Sequence, residues 1–357
     1  MLENRVGALI ADDGSFSQYS LVYHRVLIDT LSMVEIWRRK LSLSAFSNRY
    51  QDRARSATLW IQSFVDPDTG HVPNIGANDG AQLIPLGDWS TLDFRPSLSL
   101  AMALHFQSKS GSSLDGSDLP AEWFEIIPTV ERRFPQESAL FPDGGFAVLR
   151  AGQAAAFMRF PRFRFRPSQA DALHVDLWVE GKGLLRDGGS YSYANAGGLG
   201  NYFNGTAGHN SIMFDDQDQM PKISRFLFAE WLSTSRFSKI EPSGETMTFS
   251  AGYRTRNGVS HDRAVSLSSS AMMVTDTVSG FRHKAVLRWR LPVGDWMIIG
   301  HVLTHKNLTL ELKTSMPIVA LRLVEGFESL RYCQKSICPI LEVEIADPGT
   351  LITKINW

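Results

Sequence analysis

Two hydrophobic textures divide the chain. In the first third, apolar residues recur at helical spacing. From Tyr23 to Leu41, Val26, Leu27, Leu31, Val34 and Ile36 fall near one stripe with no Gly or Pro between them, which predicts a helix. A second helix is predicted over Ser44 to Val65, ending before Asp66-Pro67, and a third over Arg95 to Gln107 with Pro96 near its start. A shorter one over Pro120 to Arg133 is interrupted by Pro128, and a helix-like pattern also opens the chain. Between the second and third helices runs Asp66 to Leu83, rich in Gly, Asn and Asp. It is too long and polar for a simple connection and is a candidate functional loop.

After about Ser138 the texture changes to short alternating runs with turn residues between them. GGFAVLRAG, AAFMRFPRFRF, LHVDLWVEG, GLLRDGG, HNSIMFDD, TMTFSAGY, RAVSLSSSAMMVTDTV, KAVLRWRLP and LTLELKTS all read this way. That pattern predicts an antiparallel sandwich or layered sheets, with no repeat of the propeller kind. The expected class is therefore α+β, helices first and sheets after. The border is drawn between 135 and 136, in the Pro- and Gly-containing stretch 134–145.

Composition narrows the function. Apolar residues make up 43% and charged residues 20%, as in a folded globular protein. The net charge of −1 exerts no broad pull on nucleic acid, and no apolar run is long enough to insert into a membrane. Arg159, Arg162, Arg164 and Arg166 form a local basic cluster, either a solvated strand face or a surface for an anionic sugar polymer. The two cysteines, Cys333 and Cys338, fit a small hairpin disulfide or two free thiols equally well. A phosphate-binding loop, a dinucleotide fingerprint and a nucleophile elbow are all absent.

Two long segments carry a family resemblance. RPSQADALHVDLWVEGKGLLRDGGSYSY, followed by NYFNGTAGHNSIMFDDQDQ, resembles the C-terminal sheet domain of heparinase II/III-type polysaccharide lyases. DDGSFSQYSLVYHRVLID and GHVPNIGANDGAQLIPLGD resemble the last helices of that family's α/α toroid. The resemblance implies a partial toroid over 1–135 and a heparinase II/III-like β-sandwich over 136–357. It further implies β-elimination on an acidic, uronic-acid-containing polysaccharide or oligosaccharide. Such chemistry needs a base for the C5 proton, an acid for the leaving oxygen, and a donor or cation that neutralises the uronate carboxylate. Family members are commonly exported, so a periplasmic or cell-envelope location is expected, although Met1 and the residues after it do not read as a signal peptide.

The resemblance also nominates residues. His24 stands where family lyases carry a substrate-facing Asn or His, and Tyr23 beside it is a candidate acid or base. The loop holding the family's catalytic tyrosine here has none; it offers His71 as base and Asn74, Asn78 and Asp79 as substrate contacts or turn caps. Several family lyases show His-x-His-x-Asp, with one histidine catalytic and the next binding a structural zinc. Pro167-Ser168-Gln169-Ala170-Asp171 stands at that place. Gln169 can donate to a carboxylate but is a poor zinc ligand. Asp187 and His209 match the remaining zinc-ligand pattern, so Gln169, Asp187 and His209 form either a weakened zinc site or a buried polar cluster. Tyr202 is a candidate catalytic phenol or a packing residue. Arg166 and Tyr193 are candidate substrate contacts, and His174 and Asp176 alternate on one strand face. The competing expectation is a non-catalytic carbohydrate-binding or polysaccharide-export accessory protein.

Overall fold

Among the described residues, five helices precede the sheets: α1 (Leu2–Leu9), α2 (Leu21–Lys40), α3 (Asn48–Gln62), α4 (Arg95–Phe106) and the single turn α5 (Leu119–Trp123). The computed structural model describes residues 1–108, 118–130, 136–194 and 198–357. Two compact units emerge, Met1–Glu137 with Phe141–Gly144, and Ser138–Leu140 with Gly145–Trp357. Pro135, at the border drawn from the sequence, lies outside the described residues.

Local chemistry sets the helix ends. The Ser20 hydroxyl accepts the Tyr23 N–H at 3.1 Å and caps α2, and Arg38, Arg39 and Lys40 complement the dipole in its last turn. Ser47 caps α3 through the Tyr50 N–H. Pro96 occupies the first turn of α4, which stops where Gln107 turns left-handed at φ 53°. The helix predicted over Pro120 to Arg133 shrinks to α5 because the chain turns left-handed at Glu125, φ 58°; residues 131–133 lie outside the described set. Ile36, Ile84, Leu100, Ala103, Leu104 and Ala121 form one apolar cluster of this unit. The buried face of α2 is partly polar, carrying His24, Arg25, Asp29 and Ser32 among Leu21, Ile28 and Leu31. Such groups need partners. Arg25 donates to the Thr91 and Ala81 carbonyls at 2.7 and 2.8 Å, which ties the loop after α3 onto α2.

β1 (Ala139–Phe141), β2 (Phe146–Ala151), β3 (Ala154–Arg159), β4 (Val175–Val179) and β5 (Lys182–Leu185) form a meander in that order. From β2 onward, the registered strand pairs are antiparallel. A short helix α6 (Leu199–Asn204) and β6 (Ile212–Phe214) follow, then the two-stranded β7 (Lys222–Ser224) and β8 (Leu227–Phe228). Next come β9 (Thr234–Phe237), β10 (Glu241–Ser243), β11 (Thr246–Arg254), β12 (Ser260–Leu267), β13 (Ala271–Ser279) and β14 (Ala285–Arg290). The chain closes with β15 (Met297–Ile299), β16 (Val302–His305), β17 (Leu308–Thr314), β18 (Ala320–Glu328), β19 (Ser336–Ile345) and β20 (Gly349–Asn356). A large sheet runs β10-β11-β12-β13-β20-β17-β16-β15 with β9 on β11, and a smaller one runs β18-β19-β14-β6. The α+β expectation of helices followed by layered antiparallel sheets holds.

Period-two alternation drives this packing. In β12, His261, Arg263, Val265 and Leu267 point inward, and in β13 Met272, Val274, Asp276 and Val278 do so. Phe160, Leu177, Val265, Val274, Trp289 and Leu341 belong to one continuous core. Register brings Arg263 directly opposite Asp276, so the core contains an ion pair at 2.6 Å. The basic cluster divides. Arg159 is fully buried at the end of β3, donating to the Gly145 and Phe160 carbonyls, and cannot meet a polymer; Arg162, Arg164 and Arg166 are exposed. Both cysteines are free thiols, Cys333 exposed and Cys338 buried.

Candidate functional site

In the helical unit, the phenol of Tyr23 on α2 donates to Asp79 Oδ2 at 2.7 Å. The loop bearing Asp79 is internally tied: Asn78 Nδ2 donates to Asn74 Oδ1 at 2.7 Å, and Asn78 Oδ1 accepts the Gly80 N–H. Tyr23, Asn74, Asn78 and Asp79 therefore gather on one side of α2. His71 is half-buried farther up the loop, where its carbonyl accepts the Asp66 N–H. His24 departs from the expectation. It is fully buried, stacked on Trp60 at 4.3 Å, with Nε2 donating to the Ala57 carbonyl at 2.8 Å. One residue along a helix rotates a side chain by about 100°, and that places His24 on the core face while Tyr23 meets the loop. Burial lowers the His24 pKa to about 4, opposed by the Ala57 hydrogen bond, so the ring is a neutral core group.

In the sheet unit a buried polar cluster forms where the ends of β4 and β5 meet the residues before β6. Asp187 follows β5; its Oδ1 accepts the Gly189 N–H at 2.7 Å and its Oδ2 meets His209 Nδ1 at 2.7 Å. Burial disfavours charge on both, but the pairing wins: Asp187 stays below the usual carboxylate range and His209 above the usual imidazole range. His174 Nε2 lies 2.8 Å from Asp176 Oδ1 and 3.5 Å from Asp187 Oδ2. All four side chains are fully buried. Asn210 binds the cluster together. Its N–H donates to His174 Nδ1 at 2.9 Å, its side-chain Nδ2 donates to the Val175 and Arg186 carbonyls, and its Oδ1 accepts the Arg290 N–H. Gln169 is also buried. Its Nε2 donates to the Gly189 carbonyl at 3.3 Å and its Oε1 has no hydrogen-bond partner. It does not present the carboxylate-neutralising donor expected of it, because the surrounding chain covers it.

Tyr202 on α6 is half-buried. Its phenolic oxygen accepts N–H groups from Arg290 at 2.9 Å and from Phe327 at 3.1 Å. Arg290 is buried and also donates to the Phe327 carbonyl. This arrangement stabilises negative charge developing on the phenolic oxygen. Nearby in sequence, Tyr193 packs against Phe226 and Tyr332 with ring centroids 5.7 and 5.4 Å away. The exposed Arg166 donates to the Phe226 carbonyl and lies over the same ring at 5.7 Å. Arg166 and Tyr193 thus share one aromatic platform.

The model of the family described as heparinase II/III-like, C-terminal, matches residues 134–323, more than half of the chain. The chain belongs to this family. Among solved structures, a heparinase III gene product is 18% identical with a TM-score of 0.74, covering 99% of this chain and 54% of that one. A mutant heparan sulfate lyase from Pedobacter heparinus is 17% identical with a TM-score of 0.74, covering 100% and 54%. A chondroitin AC lyase from Streptomyces coelicolor A3, in complex with chondroitin sulphate, is 12% identical with a TM-score of 0.60, covering 97% and 54%. The chain spans about half the length of these proteins, and at such identities the likeness concerns the fold. No curated protein sequence matches it.

Within this heparinase II/III-like unit, the residues expected to hold zinc can be tested as a donor set. Bonds of roughly 2.0–2.2 Å in a tetrahedron put ligand atoms about 3.3–3.6 Å apart. One oxygen of Asp187 lies 2.7 and 3.5 Å from nitrogens of His209 and His174. Single donor atoms of these three residues all lie within 4.8 Å of one another, while the 2.7 Å contact is that of a hydrogen bond and would have to lengthen around an ion. His174 was a strand histidine with no role assigned from sequence. Its alternation with Asp176 was the available signal. Arg290, lying in KAVLRWRLP, gave none.

Proposed function

We propose that this heparinase II/III-like chain serves β-elimination on a uronic-acid-containing polysaccharide. The observation that carries the reading is the Tyr202 phenol held by a buried guanidinium and a backbone N–H. β-Elimination needs a group that takes the C5 proton and a group that returns one to the leaving oxygen. Tyr202 offers a phenolic oxygen on which charge is supported. In the helical unit, considered by itself, the Tyr23 phenol donates to Asp79 and is a separate candidate for proton transfer. Arg166 supplies an exposed cation for the polymer's carboxylates or sulfates. A periplasmic or envelope location suits this substrate class.

The second reading is carbohydrate binding without turnover. It draws on the burial of His24 and Gln169, two residues expected in the chemistry. One experiment separates the two. The protein is incubated with a panel of uronate polymers, and the near-ultraviolet absorbance of an unsaturated uronate is followed beside a binding measurement. Product formation supports the lyase. Binding without product supports the accessory reading, and neither product nor binding overturns both.

A further inference from the structure

We infer that the helical unit binds a small organic dianion, of the size and charge of a sugar phosphate, in a cavity of about 600 Å³. The end of α2, the start of α3 and the end of α4 border it. The cavity is separate from the Tyr23–Asp79 pair. Tyr23 is in the first turn of α2 and Arg38 in the last, about 20 Å away along the axis. Binding here is independent of the elimination.

Charge selects an anion. Arg38 and Arg39 of α2 and Arg55 of α3 line the cavity, and Glu35 is the single acidic side chain there among the described residues. Glu35 stands one turn before Arg38 and Arg39 and accepts from both at 2.8 Å. Three guanidiniums against one carboxylate leave an excess of two positive charges. Burial lowers the His105 pKa to about 4, so this fourth basic group adds no charge. The end of α4 fixes two of the arginines. The last carbonyls of a helix lack partners within it. Here Leu104 O accepts from Arg39 Nη2 and His105 O from Arg55 Nε, each at 3.0 Å. Neither terminal nitrogen of Arg55 has a partner among the described residues, and that pair suits an oxyanion.

Two further polar atoms in the lining are unsatisfied. Tyr50 is only 2% exposed and packs on Phe46 at 4.2 Å, yet its hydroxyl has no hydrogen-bond partner. His105 Nε2, also buried, has none. Burial, with the charges of Glu35 and Glu3, pushes the Tyr50 phenol up, so it keeps its proton and can donate. A buried polar group without a partner is costly, and a ligand oxygen would satisfy it. The cavity has the size of a small-molecule site, more than a bare inorganic anion fills. Leu104 and Phe106 add apolar wall for a carbon skeleton. A phosphate monoester carries close to two negative charges at neutral pH, which matches the excess.

Calorimetry on the full chain tests the site with glucose monophosphate, glucose monosulfate, inorganic phosphate and glucose. Glucose monophosphate should bind more tightly than the singly charged sulfate ester and than inorganic phosphate, and glucose should not bind. Tyr50→Phe should weaken its binding roughly 10-fold or more, the worth of a hydrogen bond to a charged group. The melting midpoint should not fall, because no hydrogen bond within the chain is lost. Arg55→Gln, at an exposed side chain, should weaken binding roughly 2–5-fold at low salt. Arg166→Gln, in the sheet unit, should leave it unchanged. No binding of glucose monophosphate, equal affinity for inorganic phosphate, or full affinity in Tyr50→Phe overturns the proposal. So does an Arg166→Gln loss equal to that of Arg55→Gln. Should Tyr50→Phe fail to fold, the contrast between the two arginine variants decides the question by itself.

Discussion

The phenolic oxygen of Tyr202 accepts a guanidinium N–H of Arg290 at 2.9 Å, across 88 residues of sequence. The approach needs room that only glycine leaves: a Cβ at Gly326 would lie 2.7 Å from the same oxygen. If Tyr202 moves a proton in the elimination, Tyr202→Phe should lower turnover by roughly 10²–10⁴-fold. Its cost in stability should be about 1–3 kcal/mol, because the buried Arg290 guanidinium and the Phe327 N–H lose an acceptor. Steady-state rates alongside a thermal melt check this. Turnover within a few-fold of the parent would make Tyr202 a packing residue that fastens α6 to β18.

What the sequence displayed and what it concealed follow from the range of the interactions. Helices α2, α3 and α4 were readable because Ser20, Ser47 and Pro96 act within one turn of where they stand. Asp187 and His209 were nominated by their family pattern, and the fold brings them within 2.7 Å of each other. His24 was misplaced because helical periodicity does not say which face is the core when that face also carries Arg25, Asp29 and Ser32. Asn210 joins residues 35 before it and 80 after it, and no local pattern predicts such partners. Gln169 was visible in the sequence, but that His174 Nε2 lies 3.5 Å from Asp187 only the folded chain reveals.

Asp276 receives both Arg263 and His261 with no solvent nearby. Burial opposes its ionisation, yet the Arg263 charge and the His261 contact hold its pKa down at about 2. Removing one partner of such a pair leaves a buried cation uncompensated. Asp276→Asn should therefore destabilise the sheet unit by about 3–5 kcal/mol, a drop in melting midpoint of roughly 10 °C or more. Because Arg263 also donates to the Leu173 and Asn210 carbonyls at 2.6 Å, the loss should spread into the polar cluster. A midpoint unchanged within a degree or two would show that the pair is replaceable.

The helical unit should weaken in mild acid. Burial lowers both His24 and His105 to about 4 from an ordinary 6.5. As pH falls through 6.5 the unfolded chain takes up these protons and the folded chain does not, so stability is complete above 6.5 and is lost progressively toward 4. His24, fully buried, accounts for about 3 kcal/mol of that loss, and the half-buried His105 for less. His24→Phe keeps a ring against Trp60 and removes the titration. Urea midpoints measured from pH 7 to pH 4 should then fall less steeply in the variant than in the parent, even if the variant is weaker throughout. Identical slopes would assign the acid sensitivity to other groups.

Arg166 and Tyr193 meet on Phe226 but would contribute to polymer binding by different physics. Arg166 offers an exposed charge, already fixed by its contact with the Phe226 carbonyl. Tyr193 offers a ring face for stacking, set by Phe226 and Tyr332. At about 1 M salt the screening length is roughly 3 Å, so an exposed ionic contact fades while stacking persists. Arg166→Gln should weaken binding of a uronate oligosaccharide roughly 2–5-fold at low salt, the worth of about one exposed charge contact. That difference should vanish at high salt. Tyr193→Ala should weaken binding by a similar factor at every salt concentration. Calorimetry across a salt series distinguishes the two. Equal salt dependence of both variants, or no effect from either, would remove this platform from the binding surface.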